Sequence, residues 1–167
     1  QLMALTQEKA TLIKQLKLVA QLLPAFDIYT SMPGIGDLTA AQLLGEIGDI
    51  TRFDNANQIN AFIGIDLNRY QSGSYQRQDH INKRGDPYGR ALVYMLVRNM
   101  IRQKAAAPNH IVDYYYRLKK RPIPKRDKVA VVACMNRTLK CLYAMVLTGT
   151  KYHYDTRTRS PLINTES

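Results

Sequence analysis

The sequence is poor in the residues that most often carry metal, redox and membrane chemistry. It contains no tryptophan, two cysteines and three histidines among 167 residues. The histidines, His80, His110 and His153, are scattered, so we expect no metal site and no cofactor in this chain. The longest apolar run, Val129–Met135, has seven residues and is too short to span a membrane. The chain is therefore not expected to interact with a membrane.

The two cysteines and the first residues of the chain indicate the cellular compartment of the protein and whether the sequence is a fragment. Cys134 and Cys141 lie on one predicted helix, which holds their Cα atoms too far apart for a disulfide, so we expect reduced core thiols. Charged, helical residues open the chain where a signal peptide would be apolar. We therefore expect a cytoplasmic protein. Because the chain lacks a start methionine and begins inside a helical pattern, we also expect it to be a fragment.

Acidic residues are scarce in the second part of the chain. Residues 1–66 carry four Lys/Arg and seven Asp/Glu, a net charge of −3, whereas residues 67–167 carry twenty and six, a net charge of +14. The total is +11. A surface this basic indicates a polyanion as the partner, with nucleic acid the simplest choice. An acidic protein partner, or a solvated surface without a partner, remains the alternative.

The patterns predict a mainly α fold. A leading helix over residues 1–24 has apolar residues at heptad spacing and is coiled-coil-like; an amphipathic helix packed on its own domain is the alternative. A helical domain containing a helix-hairpin-helix follows over residues 25–150, with a short irregular or β-hairpin segment near residues 66–84.

Within this domain we predict an N-cap at Asp37 or Thr39 and a helix start at Asp86-Pro87. The last helix, which Gly149 closes, is apolar on most sides and is predicted to lie in the core. Polar residues 151–167 are predicted to form a flexible tail.

Residues 31–49 form the most informative stretch, a predicted helix-glycine turn-helix. The backbone amides at the start of the second helix have no intrahelical partner, and such a cluster binds anions, including a nucleic-acid backbone. An ordinary turn with a glycine C-cap is the alternative. The candidate contact residues are Pro33, Gly34, Ile35, Gly36 and Thr39.

Two further segments carry candidate chemistry. In the loop around Ser72 and Gly73, a serine hydroxyl could be presented for attack on a phosphodiester, with cations to neutralise the phosphate. A simple turn serine is the alternative reading. The cations nearby in sequence are Arg69, Arg77, Lys83, Arg84 and Arg90. A second basic segment with two prolines is expected to contact phosphates through Lys119, Lys120, Arg121, Lys125 and Arg126.

The order and spacing of several motifs resemble one known family. The motifs are PGIG at 33–36, TAAQLLGEIGD at 39–49, Arg52-Phe53, AFIGI at 61–65, QSG at 71–73, KRG at 83–85 and RAL at 90–92. Together they resemble the C-terminal transposase domain of the "one-ten" insertion-sequence group, over about residues 2–152. The chain differs from the family pattern at Gly89, where an apolar residue usually precedes the arginine.

The resemblance implies roles for individual residues and for missing parts. Ser72 corresponds to the nucleophile. The residues around the active site correspond to Gly73, Lys83, Gly85 and Arg90. A RuvC-like N-terminal domain with four acidic residues, the DEDD set, would bind Mg²⁺ in the full-length enzyme. A structured guide RNA would be a further partner, with the basic loop at residues 119–126 as one contact. The leading helix would join the two domains and pair protomers, giving a homodimer or a higher oligomer.

These observations predict the DNA-binding and serine-nucleophile domain of a bacterial transposase that exchanges DNA strands in transposition. It would act on chromosomal DNA in the cytoplasm. Without the DEDD domain the fragment alone should be inactive. The alternative is a non-catalytic helix-hairpin-helix module that binds duplex or junction DNA through its phosphates.

Overall fold

The structure is a computed structural model that describes residues 1–68, 71–72, 75–76, 80–81 and 84–155, with the backbone alone for 67–68, 71–72, 75–76 and 80. The described part is mainly helical, as predicted. Its α-helices are α1 (Leu2–Ala20), α2 (Pro24–Thr30), α3 (Asp37–Ile47), α4 (Ala56–Ile63), α5 (Pro87–Arg102), α6 (His110–Lys119) and α7 (Asp127–Thr148). One 3-10 turn, Ile50–Arg52, lies between α3 and α4.

Four two-residue strands lie between α4 and α5. Strand β1 (Leu67–Asn68) pairs antiparallel with β4 (His80–Ile81), and β2 (Gln71–Ser72) pairs antiparallel with β3 (Tyr75–Gln76). In the inner pair Ser72 lies opposite Tyr75. The two pairings are therefore nested along the chain, with β2 and β3 lying between β1 and β4 in sequence.

Short polar side chains cap the first turns of three helices. The carboxylate of Asp86 accepts hydrogen bonds from the amides of Tyr88 and Gly89 at 2.9 and 2.7 Å, and Pro87 occupies the first turn of α5. Asn55 and Asn109 cap α4 and α6 in the same way. Satisfying these otherwise unpaired amides fixes where each helix starts.

Helix α7 lies at the centre of the core. Its buried side chains include Val131, Cys134, Met135, Leu139 and Leu142, which pack with buried residues of the other helices. By length and composition alone, α7 is the one helix of the described residues that could cross a membrane. Its burial against α4, α5 and α6 instead accounts for its apolar composition.

Helices α3 and α5 run antiparallel and pack together. At one end of the pair, a Cβ added to Gly34, just before α3, would lie 2.7 Å from Cγ of Met100 near the end of α5. At the other end, Glu46 contacts Asp86, which caps α5. Partial burial and then the charge and hydrogen bond of Asp86 raise the pKa of Glu46. The two ends of α3 therefore lie beside opposite ends of α5.

The start of α5 crosses the end of α4 at very close range. The amide of Asp86 donates to the carbonyl of Phe62 at 2.7 Å. A Cβ on Gly85 would lie 2.2 Å from the same carbonyl oxygen and 2.4 Å from the amide nitrogen of Gly64. Only glycine leaves room for two backbones this close. The crossing closes the loop of residues 64–84 at its base.

Helix α1 contacts α3 but leaves most of its apolar stripe uncovered. The heptad residues are from 40% to 80% exposed; they are Leu2, Leu5, Leu12, Leu16, Val19 and Leu23. The helix ends at Ala20, and Pro24 takes the first position of α2. Exposed apolar surface of this kind is typical of a contact with another polypeptide.

The predicted flexible tail requires a correction at its first residues. Within Lys151–Asp155, the amide of Tyr152 donates to the hydroxyl of Ser31 at 2.8 Å, and the hydroxyl of Tyr154 donates to Asp113 at 2.8 Å. The polar composition suggested a loose tail because it gave no sign of these tyrosine contacts. The packed body therefore extends to Asp155, and residues 156–167 lie outside the described part.

Candidate nucleic-acid interface

The turn between α2 and α3 is held in place by the packing of Gly34 and by the burial of Ile35. Gly34 has φ +91°, a conformation that favours glycine, and packs on Met100. Ile35 is buried, and its amide donates to the carbonyl of Met32 at 3.0 Å. On either side of these two residues, Pro33 is half-buried and Gly36 is exposed. The predicted glycine turn thus packs against α5.

The amides at the start of α3 are left open by the cap residue. The N-cap is Gly36, not Asp37 or Thr39, and its carbonyl accepts from Ala40 at 2.9 Å. Glycine has no side chain to cap the helix, so within the described residues the amides of Asp37, Leu38 and Thr39 have no capping partner. This geometry suits a backbone phosphate, although the Asp37 carboxylate in the first turn opposes an anion.

The candidate nucleophile lies in the nested strands. The structure gives the backbone of Ser72 in β2, opposite Tyr75, but its side chain lies outside the described residues. So do four other predicted site residues, Arg69, Gly73, Arg77 and Lys83. The loop joins the helical body at Gly85 and Asp86, beside the C-terminal end of α3.

The two candidate elements therefore attach at opposite ends of α3. The glycine turn precedes the first residue of this helix, and the base of the Ser72 loop lies beside Glu46 in its last turn. Eleven residues of α-helix span about 16 Å. The glycine turn and the base of the Ser72 loop are therefore separated by about the length of α3.

The resemblance places Gly85 and Arg90 around the active site. In the structure both residues contact the C-terminal end of α4. A guanidinium nitrogen of Arg90 donates to the carbonyl of Ile63 at 2.9 Å, while Gly85 permits the backbone crossing. Gly89 is also explained, since a Cβ there would lie 2.3 Å from the capping carboxylate of Asp86. These residues fix the base of the loop. Arg84, beside them, is exposed.

The basic segment between α6 and α7 forms a closed loop. The amide of Lys125 donates to the carbonyl of Leu118 at 3.2 Å, and Nζ of Lys119 donates to the carbonyl of Lys125 at 3.0 Å. Every residue from 120 to 126 is exposed, which includes Lys120, Arg121 and Arg126. Lys120, Arg121, Lys125 and Arg126 are therefore available to a polyanion, whereas Lys119 is half-buried and its ammonium donates to the backbone of the loop.

Two of the three consecutive tyrosines, Tyr114 and Tyr115, have different environments. Tyr115 is buried, and its hydroxyl donates to Asp127. Tyr114 is half-buried, with the guanidinium carbons of Arg117 and Arg137 at 5.2 and 4.9 Å from its ring centre. Tyr114 therefore carries two exposed arginines on the surface of α6 and α7. No sequence pattern indicates that Arg137 pairs with α6.

The segment after α7 contacts the start of α6 through Tyr152 and His110. The ring of Tyr152 stacks on His110 with 5.2 Å between ring centres, and its hydroxyl lies 2.7 Å from Nδ1 of His110. The amide of His110 donates to the same hydroxyl at 3.1 Å. Burial, and then the charge of Arg137, lower the pKa of His110, while Asp113 opposes them. The neutral ring is therefore favoured in the folded protein.

This contact predicts a pH-dependent stability. The unfolded histidine takes up a proton near pH 6.5, but folded His110 resists it, so the free energy of unfolding should fall as pH drops below about 6.5 and level off below the folded pKa. Urea unfolding of wild type and His110→Phe between pH 7.5 and 5.5 measures this. The variant should show a weaker pH dependence.

The matched control is His153→Phe, at an exposed position of the segment after α7, which should keep the wild-type profile. An unchanged profile in His110→Phe would contradict the assignment.

A resident metal does not fit the side chains that the structure describes. Among these residues no three His, Cys, Asp or Glu side chains cluster closely enough to hold an ion. Cys134 and Cys141 are free thiols, and burial raises the pKa of Cys134 to about 12.

Comparison with known proteins identifies the class. Residues 27–112 match the family described as "Transposase IS116/IS110/IS902 family", and these residues include the glycine turn and the Ser72 loop. The chain belongs to this family of insertion-sequence transposases. The resemblance seen in the motifs is confirmed at that level.

Three curated relatives agree with the family match. The "Transposase for insertion sequence element IS1111A" of Coxiella burnetii is 34% identical over 89 residues, which is 53% of this chain and 24% of the relative. A "Probable family 20 transposase" of Pseudomonas aeruginosa is 29% identical over 125 residues, 73% of this chain and 35% of the relative. The "Insertion element IS110 uncharacterized 43.6 kDa protein" of Streptomyces coelicolor is 26% identical over 151 residues, 90% of this chain and 36% of the relative. The chain thus matches only about a quarter to a third of each relative's length.

Proposed function

We propose that this chain is the DNA-binding and nucleophile-carrying domain of a transposase that exchanges DNA strands. One observation carries the proposal: the family match covers both the amide-rich turn and the Ser72 loop in a chain whose second part has a net charge of +14. The turn and the basic loop would hold backbone phosphates, and Ser72 would carry the chemistry.

In the proposed reaction the hydroxyl oxygen of Ser72 attacks the phosphorus of a scissile phosphodiester. An O–P bond to serine forms, and the bond from phosphorus to the leaving DNA oxygen breaks. The hydroxyl proton passes to a base of the assembled enzyme, and the leaving oxygen takes up a proton. Cations near the phosphate stabilise the charge that develops in the transition state. Attack by the freed DNA hydroxyl on a second phosphoserine rejoins the strands and restores the serine.

The proposal extends to the parts of the enzyme outside this chain. A RuvC-like domain elsewhere in the full-length protein would supply the DEDD carboxylates with their Mg²⁺, and this chain alone would not cut DNA. A structured guide RNA would use part of the basic surface. The exposed apolar stripe of α1 supports a coiled coil that pairs two protomers. Such an enzyme would act on chromosomal DNA in the bacterial cytoplasm.

A purely binding function is the second candidate. It is favoured by the turn before α3, where an uncapped helix start follows a glycine hairpin, as a phosphate-binding helix-hairpin-helix requires. In that case Ser72 would be an ordinary residue of a short strand. The two functions share DNA binding and differ at Ser72.

DNA binding through the basic loop predicts a strong salt dependence. We expect the affinity for a DNA duplex to fall steeply between 50 and 200 mM salt, with a log–log slope of about −0.9 per phosphate contacted. The triple variant Lys120→Gln, Arg121→Gln, Lys125→Gln should reduce the magnitude of that slope by about two to three. Fluorescence anisotropy over a salt series measures both quantities.

The matched control removes the same charge from α1. The triple variant Lys9→Gln, Lys14→Gln, Lys17→Gln lies in the acidic part of the chain and should leave the slope unchanged. Equal effects of the two triple variants would mean that net charge alone drives binding. Failure of the wild type to bind DNA at about physiological salt would favour an acidic protein partner instead.

A further inference from the structure

An apolar side chain projects from the tip of the basic loop. Ile123 is 84% exposed and stands between Pro122 and Pro124. The two prolines fix their own φ angles and restrict the residues before them, so the backbone around Ile123 has few conformations. A stiff backbone holds this large aliphatic side chain in water. Covering it with a partner is therefore favourable, because apolar surface is removed from water.

Both ends of the loop are firmly attached to the helical body. At its start, the amide of Lys120 donates to the carbonyl of Tyr116 at 2.9 Å. At its end, a carboxylate oxygen of Asp127 accepts from Arg98 of α5 at 2.9 Å, and the other accepts from the hydroxyl of Tyr115. The tip is therefore supported by α5, α6 and α7 together.

Cations flank the isoleucine on both sides. Residues 114–126 contain six Lys/Arg and no Asp/Glu. Lys120 and Arg121 precede the Pro122–Pro124 tip, and Lys125 and Arg126 follow it, all four with exposed positions. A single apolar residue with cations on either side matches the needs of a duplex, whose phosphates border the groove and whose base steps accept an aliphatic wedge.

A duplex suits this loop better than the other polyanionic surfaces. A membrane would be held weakly, because one isoleucine buries little apolar area and stable anchoring requires a larger apolar contribution. An acidic protein partner would match the cations, but it would require an apolar pocket for one projecting side chain. DNA meets both requirements with its regular backbone and stacked bases.

We propose that Ile123 inserts between base pairs from the minor groove and kinks the DNA that this chain binds. The inference rests on the proposed DNA-binding function and adds a deformation step at a site separate from the Ser72 loop. Lys120, Arg121, Lys125 and Arg126 would hold the phosphates on either side of the kinked step. A wedge of this kind bends duplexes by 20–90°, toward the major groove.

The test measures DNA bending in saturated complexes. A duplex of about 30 base pairs with a central TA step carries a fluorescence donor and an acceptor at its ends, because such steps kink readily. Wild type should shorten the end-to-end distance. Ile123→Ala and Ile123→Ser should each reduce the bend angle by about 20° or more, and Ile123→Leu should retain it. The control Leu147→Ala, at a 54% exposed position on α7, should bend DNA as wild type does.

The outcomes separate this inference from the function on which it rests. If wild type binds and bends DNA and both truncated variants bend it equally well, the wedge is refuted and DNA binding stands. If wild type binds no DNA, both the wedge and the proposed function fail. If wild type instead binds an acidic protein with an affinity that Ile123→Ala lowers at least tenfold, and leaves DNA unbent, the loop is a protein-docking element and the wedge is also refuted.

Discussion

Ser72→Ala is expected to abolish strand exchange by the intact transposase while leaving DNA binding unchanged. Removing the hydroxyl removes the atom that attacks phosphorus, and a methyl group cannot replace it. Loss of a nucleophile lowers the rate by several orders of magnitude, on the order of 10³-fold or more. A recombination assay with a donor and a target duplex measures the rate, and anisotropy under the same conditions measures the affinity.

A matched substitution two residues away controls for disturbance of the loop. Ser74→Ala removes an identical hydroxyl from the same stretch of sequence and should keep the rate within about threefold of wild type, the effect expected of a residue without a catalytic role. If Ser72→Ala retains strand exchange, the nucleophile assignment is wrong and the binding module becomes the better account. If both variants lose activity and affinity together, the loop serves binding and not attack.

Gly85→Ala is expected to destabilise the fold strongly. The new Cβ would lie 2.2 Å from the carbonyl oxygen of Phe62 and 2.4 Å from the amide nitrogen of Gly64, and both are backbone atoms. The crossing of α4 and α5 would have to open, which would also break the 2.7 Å hydrogen bond from Asp86 to Phe62. We expect a loss of about 3 kcal/mol in the free energy of unfolding, measured by urea titration.

The chain supplies a control for this prediction in α3. Gly45 lies within that helix, and a Cβ there would meet no atom of the described residues within 4 Å. Gly45→Ala should therefore stabilise the protein by about 0.5–1 kcal/mol through helix propensity. A Gly85→Ala protein as stable as wild type would show that the two backbones do not cross this closely.

Local patterns predicted much of the helical frame. Asp86-Pro87 marked the start of α5, and Gly149 marked the end of α7, because capping and proline chemistry depend on adjacent residues. The apolar pattern of α7 correctly placed that helix in the core. The N-cap of α3 was predicted at Asp37 or Thr39 and lies at Gly36, because the preceding turn already fixes the backbone there.

Contacts between distant segments could not be predicted in this way. Arg90 looked like a free cation in the sequence, yet it donates to the carbonyl of Ile63, 27 residues away. The pairing of Tyr152 with His110 and the position of Arg137 over Tyr114 also depend on helix packing. For Gly85 the family pattern suggested an active-site role, whereas the structure gives a steric reason for the glycine.

The most direct measurement of the central claim is the covalent intermediate itself. Incubating the intact transposase with a duplex that is nicked near the exchange site should trap a protein–DNA adduct, which nuclease and protease digestion reduce to a nucleotidyl peptide. Mass spectrometry should place the added phosphate on the hydroxyl of Ser72. An adduct on another residue, or complete strand exchange without any phosphoserine, would contradict the account.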